Sequence, residues 1–349
     1  MIPAKHFRNV ESTNHMAWAD LCRFVAIFGV VLIHSVGSTF YQYGKIPLTD
    51  WLIANFIDSL VRCAVPLFLM LSGALILCHA EEIVTLSMLW RRIRRVLFPL
   101  LVWSAIYLGW ISYHSGLSID WLSILSAPAM YHLGFAYYII GIYMLLPVFQ
   151  VLFRLLQIQL GIRIYLFIFW FLSTCVSVYM PLPLLSLLNQ TSFFGLGGYF
   201  VMGGIIVSLP QNKIPSIAWV FIFCASILTT FGLTWYFCWK NNAPIETAYI
   251  YTSPNVLVST ISAFVLFTRV TLSESTAKII KWMSERVFLI FFVHILVLEY
   301  IRYSRLFIVI DQNSPILLSV LILSISTMTI SLILSTLIRF IPGSKSVFG

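Results

Sequence analysis

Charge is what this sequence has least of. Asp, Glu, Lys and Arg make up 9% of 349 residues, against 60% hydrophobic. Ordinary soluble domains carry about 25% charged residues, so a water-soluble fold is excluded. The short alternating segments of about ten residues that build a transmembrane barrel are missing as well. A signal peptide is not seen either. The N-terminal MIPAKHFRNVESTNHM lacks an apolar core and a small-residue cleavage site, so no cleavage is expected and the first span doubles as insertion signal. There is no CxxC pair. Cys22, Cys63, Cys78, Cys175, Cys224 and Cys238 fall in or beside apolar runs, which reads as buried thiols rather than a metal site or disulfide framework. Tandem repeats and low-complexity tracts are absent, and the longest loops, near 80–94, 114–133 and 270–285, are too short to fold alone.

What the sequence does have is apolar runs, many longer than the roughly 18 residues that cross a bilayer. They predict an all-α polytopic membrane protein of about ten transmembrane helices. The spans lie near 18–38, 51–79, 95–113, 134–156, 164–181, 191–208, 215–238, 247–269, 286–304 and 314–339. MPLPLLSLLNQ separates the fifth from the sixth. With the N-terminus in the cytoplasm, fifteen basic residues fall inside and four (Lys45, Lys240, Arg302 and Arg305) outside, with Arg23 and Arg62 within spans. That asymmetry supports an even span count with both termini cytoplasmic. It also accounts for the net charge of +9 without nucleic acid. The expected organisation is a cytoplasmic segment 1–17, a membrane domain 18–340 and a cytoplasmic tail 341–349.

Few ionisable residues enter the spans, and each asks for a reason. A charge at the bilayer centre costs at least about 2.5–3.5 kcal/mol. The first span, WADLCRFVAIFGVVLIHS, carries Asp20, Arg23 and His34. Eleven helical steps return to within about 20° of the start, so Arg23 and His34 share a face about 16 Å apart. Asp20 lies one turn before Arg23 and pairs with it. The second span places Asp58 and Arg62 one turn apart, followed by Pro66 and Ser72-Gly73. These form a binding pair or a structural ion pair with a packing kink. At the cytoplasmic mouth of the third span, LWRRIRRVLFP sets Arg91, Arg92, Arg94 and Arg95 as two i,i+3 pairs. They serve as a grip on a polyanion or as a topology anchor on lipid head groups.

Taken together, these segments resemble the membrane acyltransferase-3 family over nearly the whole chain. Arg23 and His34 match its Arg-x10-His signature, and RRIRRVLFP contains its Arg-x-x-Arg element. VPLFLMLSG resembles the second-span motif. YHLGFAYYIIGIYMLLPVF resembles the His-Leu-Trp-Phe segment, with Gly134 where Trp is common. MSERVFLIFFVHILVL places His294 at a second recurrent histidine. Within the family the chain is most similar to single-domain bacterial sugar O-acetyltransferases of the enterobacterial common antigen type, lacking the esterase-like domain of longer relatives.

The resemblance implies acetyl-CoA as co-substrate, no metal, and a lipid-linked or nascent surface glycan as acceptor, in the bacterial inner membrane. The polyanionic CoA would dock at Arg91, Arg92, Arg94, Arg95 and Arg62. His34 would act as general base or covalent acetyl carrier, supported by Arg23 and Asp20. Asp58, Ser72, Tyr131, His132, Tyr251, Asn255 and His294 are candidates for the acceptor site, although a structural hydrogen bond explains His294 equally well. The competing classes are an acetyl-relay subunit and a transporter, since intramembrane Asp, Arg and His also mark ion pathways. Oligomeric state is left open.

Overall fold

Helix is the only regular structure among the described residues. A computed structural model describes residues 17–79, 82–116, 118, 121, 124, 126–180, 195–210 and 214–348. Most of the expected N-terminal segment, nearly all of the break at 180–190 and Lys213 lie outside the described residues.

The first helix, α1 (Ala17–Phe40), is followed by α2 (Leu48–Val61) and α3 (Ala64–Leu77), then α4 (Leu86–Ser115). α2 and α3 together make one span, interrupted at Arg62-Cys63. The cause is local: Pro66 has no N–H to give the Arg62 carbonyl one turn back. A tight turn, Tyr131–Leu133, leads into α5 (Gly134–Met144) and α6 (Leu146–Ile158). The expected straight span 134–156 is instead bent by 67° between these two. Pro147 sits in the first turn of α6, and its ring and missing N–H break the ladder at Leu145. Next come α7 (Leu160–Trp170), continued by irregular helical turns to Val178, then α8 (Gly197–Ser208), α9 (Ser216–Asn241) and α10 (Pro254–Thr268).

The chain ends with α11 (Glu274–Ser284), α12 (Val287–Arg302), α13 (Arg305–Asn313), α14 (Ile316–Ile338) and the short α15 (Ser344–Val347). α12 and α13 meet at 71°, so the expected span 286–304 stops at Arg302. Ser304 starts the new helix by accepting from the Phe307 N–H at 3.2 Å.

Among the described residues, seven helices are long and apolar enough to cross a membrane, or up to nine if each bent pair counts as one span. The protein is therefore a polytopic helical membrane protein, though ten spans are not reached among the described residues. Residues 191–194 of the expected sixth span lie outside the described residues, and the rest of it holds α8, twelve residues and about 18 Å long. That is short of the roughly 30 Å hydrocarbon core. α8 lies against α3 backbone to backbone. A Cβ built on Gly73 would stand 1.6 Å from the Phe200 carbonyl oxygen, and one on Gly203 1.9 Å from that of Met70. Close backbone approach through small residues is how helices associate where lipid removes the hydrophobic drive.

α1 is the hub of the bundle and packs on α2, α3, α10, α11, α12 and α14. Its ionisable residues point at protein: Asp20 and Arg23 meet Ser284 of α11, and the His34 ring meets that of His294 on α12. Around it, α4, α5 and α12 share a core built on Leu100, Trp103, Tyr107, Leu133 and Phe292. Tyr107 fixes α4 to α12 by donating to the Phe292 carbonyl at 2.8 Å.

Candidate active site

Three histidines from three elements meet beside α1. The His294 ring on α12 lies 5.5 Å from His34 on α1 and 5.1 Å from His132, in the turn before α5. Tyr131 closes the group, its ring 5.1 Å from His34 and 5.9 Å from His132. His294 and His132 are buried, His34 is partly exposed, and Tyr131 is 56% exposed, so the cluster opens past Tyr131. Both ring nitrogens of His132 and Nε2 of His294 are buried without a hydrogen-bond partner. Buried polar atoms in native proteins are nearly always paired, so orphans of this kind mark room for water or a ligand. Among the described residues, no three His, Cys, Asp or Glu are arranged to hold a metal ion.

One end of α1 is held by an ion pair whose arginine counts, in the sequence, only among the outside charges. Arg302, expected in an outer loop, is the last residue of α12 and pairs with Glu299 at 2.9 Å. Its other terminal nitrogen donates to the carbonyl of His34 at 2.8 Å and reaches that of Ser35 at 3.5 Å. At the other end, Arg23 bonds Asp20 at 2.8 Å and the Ser284 hydroxyl at 2.7 Å, and that hydroxyl donates to Asp20 at 2.7 Å. The expected Asp20–Arg23 pair is present, enlarged by Ser284 at the end of α11. Nothing in the sequence singled Ser284 out. Glu299 and Arg302 had a usable signal, two opposite charges at i,i+3 closing an apolar run.

A second polar centre lies on α2. The Asp58 carboxylate is fully buried and pairs with Arg62 at 2.7 Å. The Arg62 guanidinium stacks over the Tyr249 ring at 4.0 Å. Tyr249 is locked by hydrogen bonds to the Asn55 side chain and, at 3.1 Å, to its carbonyl. One oxygen of Asp58 and Nε of Arg62 remain unpartnered. Tyr251 lies within electrostatic reach of Arg62 and Asp58, and Arg62 within reach of the His34 ring. Above this centre, Tyr41 donates to Glu246 at 2.7 Å and ties the α1–α2 turn to the loop after α9. Burial, reinforced by that hydrogen bond, pushes the Tyr41 phenol up to about 12.

Two other expected residues are turned inward. Asn255 gives both amide protons away, to Thr230 at 2.9 Å and the Ala248 carbonyl at 2.7 Å, while its oxygen accepts from Tyr179 at 2.5 Å. That leaves it no donor for a ligand. The Ser72 hydroxyl is spent on the Phe68 carbonyl of its own helix at 2.8 Å.

The α4 arginines separate by face. Arg92 and Arg95 lie within electrostatic reach of the Tyr143 phenol near the end of α5. Arg91 and Arg94 lie on the neighbouring face; they and Arg95 are exposed, and Arg92 is half-buried. An acyltransferase domain signature of the acyltransferase-3 type matches residues 16–336. The chain belongs to the acyltransferase-3 family. No curated protein and no solved structure matches it. In this acyltransferase-3 chain the arginines of α4 and the histidine cluster are joined by a single element. α5 and its leading turn carry His132 at one end and Tyr143 at the other, eleven residues and about 16 Å apart.

Two apolar clefts lie elsewhere, of about 420 Å³ between α6, α7 and α8, and about 390 Å³ between α1, α3, α9 and α10. Their linings suit lipid chains, not the phosphates of a nucleotide. All six cysteines are free, four of them buried, Cys78 partly so, and Cys224 exposed.

Proposed function

We propose that this acyltransferase is an integral membrane O-acetyltransferase of the bacterial inner membrane, moving acetyl from cytoplasmic acetyl-CoA to a hydroxyl of a lipid-linked or nascent surface glycan. The observation that carries the reading is the α5 lane, with guanidinium groups at one end and imidazoles at the other. Its length of about 16 Å is on the scale of the pantetheine arm of CoA. Arg92 and Arg95 take the CoA phosphates, with planar forks that match phosphate oxygens. The thioester then reaches His34.

The sugar hydroxyl enters past Tyr131. His34 takes its proton as the oxygen attacks the thioester carbon. The C–O bond forms, the C–S bond breaks, and the departing thiolate recovers the proton from the imidazolium. The reaction is proton-neutral overall and needs no metal. Arg62 and Asp58, each with an unpartnered polar atom, are placed to hold the acceptor, with Tyr251 beside them. An acceptor of enterobacterial common antigen or O-antigen type follows from the family resemblance.

The test is release of free CoA from acetyl-CoA by the purified protein in nanodiscs, with and without a crude lipid-linked glycan fraction. Glycan-dependent release, with acetyl recovered on sugar, is expected. His34→Ala should lower it about 10²–10⁴-fold, the usual worth of a positioned acid–base group. CoA release without acetyl on sugar points to a relay subunit. No binding or turnover by folded protein sinks the donor assignment and favours a transporter.

A further inference from the structure

His294 has a defined tautomer. Its Nδ1 lies 2.8 Å from the Phe291 carbonyl oxygen and 3.1 Å from that of Ile290. A carbonyl can only accept, so Nδ1 carries the proton. In the neutral ring, Nε2 is then a bare lone pair. That atom is fully buried and makes no hydrogen bond. The rings around it are those of His34, His132 and Phe291. Phe291 offers nothing polar. His132 meets Tyr107, Tyr131, Phe291 and His294 at interplanar angles of 65–77° and packs as an aromatic ring in an aromatic cage. His34 is more nearly parallel to His294, at 32°, and it alone of the three histidines is open to the exterior.

We propose that His294 is the positioning residue for His34. Its Nε2 accepts a hydrogen bond from one ring N–H of His34, after a small side-chain rotation or through one water. The outward nitrogen of His34 is thereby left as the lone pair that meets the acceptor hydroxyl. Histidines that act as bases or metal ligands are generally set in one tautomer by a partner on the second nitrogen. Here an imidazole, itself fixed by two backbone carbonyls of α12, fills the place that a carboxylate often fills. The pair also explains why a fully buried histidine stands next to the residue read as the base. The inference rests on that reading of His34.

Two substitutions separate orientation from mere packing. His294→Gln keeps an amide oxygen near the position of Nε2. His294→Asn keeps an N–H near the position of Nδ1 and puts nothing at Nε2. With the full-length protein, acetyl-CoA and the crude lipid-linked glycan fraction, His294→Asn should lower kcat about 100-fold. Its KM for acetyl-CoA should stay within about threefold of wild type, and His294→Gln should retain kcat within about tenfold. Equal kcat values in the two variants, or Asn more active than Gln, would overturn the proposal. Should the variants fail to fold, ¹⁵N NMR of histidine-labelled wild-type protein decides. A His294 proton on Nδ1 is required, and one on Nε2 rules the orientation out. Wild-type protein that never turns over acetyl-CoA counts against the proposed function, and the tautomer measurement then decides the His294 assignment separately.

Discussion

Arg302 joins three things at once: its own helix through Glu299, the carbonyl of His34, and that of Ser35. In a low-dielectric interior, charge-assisted hydrogen bonds of this kind are stronger than neutral ones, and the groups they leave behind are costly when unpaired. Arg302→Met strands the Glu299 carboxylate, which is 14% exposed in the pair. A loss of about 1–3 kcal/mol in stability is expected, read from thermal unfolding in detergent. Adding Glu299→Leu removes the stranded charge, so the double variant should be more stable than Arg302→Met alone. A double variant less stable than the single one would mean that Glu299 has partners of its own. The Asp58–Arg62 pair follows the same logic deeper in the bundle, but its unpartnered atoms leave capacity for a ligand that the Glu299–Arg302 pair has spent.

At the scale of elements, helix faces decide which repeated residues matter. Residues three apart on α4 point the same way, so the four arginines form two pairs with different surroundings. Arg92→Gln and Arg95→Gln should each raise the KM for acetyl-CoA about tenfold or more, the worth of one charge-assisted hydrogen bond. Arg91→Gln and Arg94→Gln should change it less than about threefold, since they lie on the face next to the one that meets Tyr143 and serve topology. Kinetics that rank the pairs the other way would move the donor site to the outer face of α4. The contact of α3 with α8 gives a second comparison. Gly203→Ala drives a methyl into the Met70 carbonyl and should cost about 1–3 kcal/mol of stability. Gly232→Ala on α9, where an added Cβ meets nothing within 4 Å, should be neutral or stabilising by about 0.5–1 kcal/mol. Melting temperatures of the two variants in one detergent check both.

For the whole molecule, the arrangement works only if the arginine end of α4 faces the compartment that holds CoA. Positive charge in the loops orients membrane proteins, and the proposed orientation has Lys278 inside and Lys45 outside. Lys45→Cys should react with an impermeant maleimide on intact spheroplasts, whereas Lys278→Cys should react only after permeabilisation. The reverse pattern would put Arg92 and Arg95 on the wrong side for acetyl-CoA and sink the proposed direction of transfer.

How much was legible beforehand depends on how far a feature reaches along the chain. Membrane residence, most of the spans, the Asp20–Arg23 and Asp58–Arg62 pairs and the spacing of Arg23 from His34 lie within single segments, where composition and helical periodicity suffice. The bend at Leu145 was also written locally, in Pro147, but apolar composition hid it inside one expected span, whereas the break after Arg302 falls at the expected end of the span 286–304. The grouping of His34, His132 and His294 was not legible, because those residues are separated by roughly a hundred positions or more and meet only because α12 packs on α1 and shares a core with α4 and α5. Nor could periodicity show that Asn255 and Ser72 spend their polar groups inside the protein, or that Arg302 reaches back to α1. The sequence by itself determined that this chain is a helical membrane protein and where its charges enter the spans, since lipid excludes unpaired polar groups residue by residue. Tertiary structure alone decided which of those groups share a site, because that depends on which helix faces pack together, a choice made between segments rather than within them.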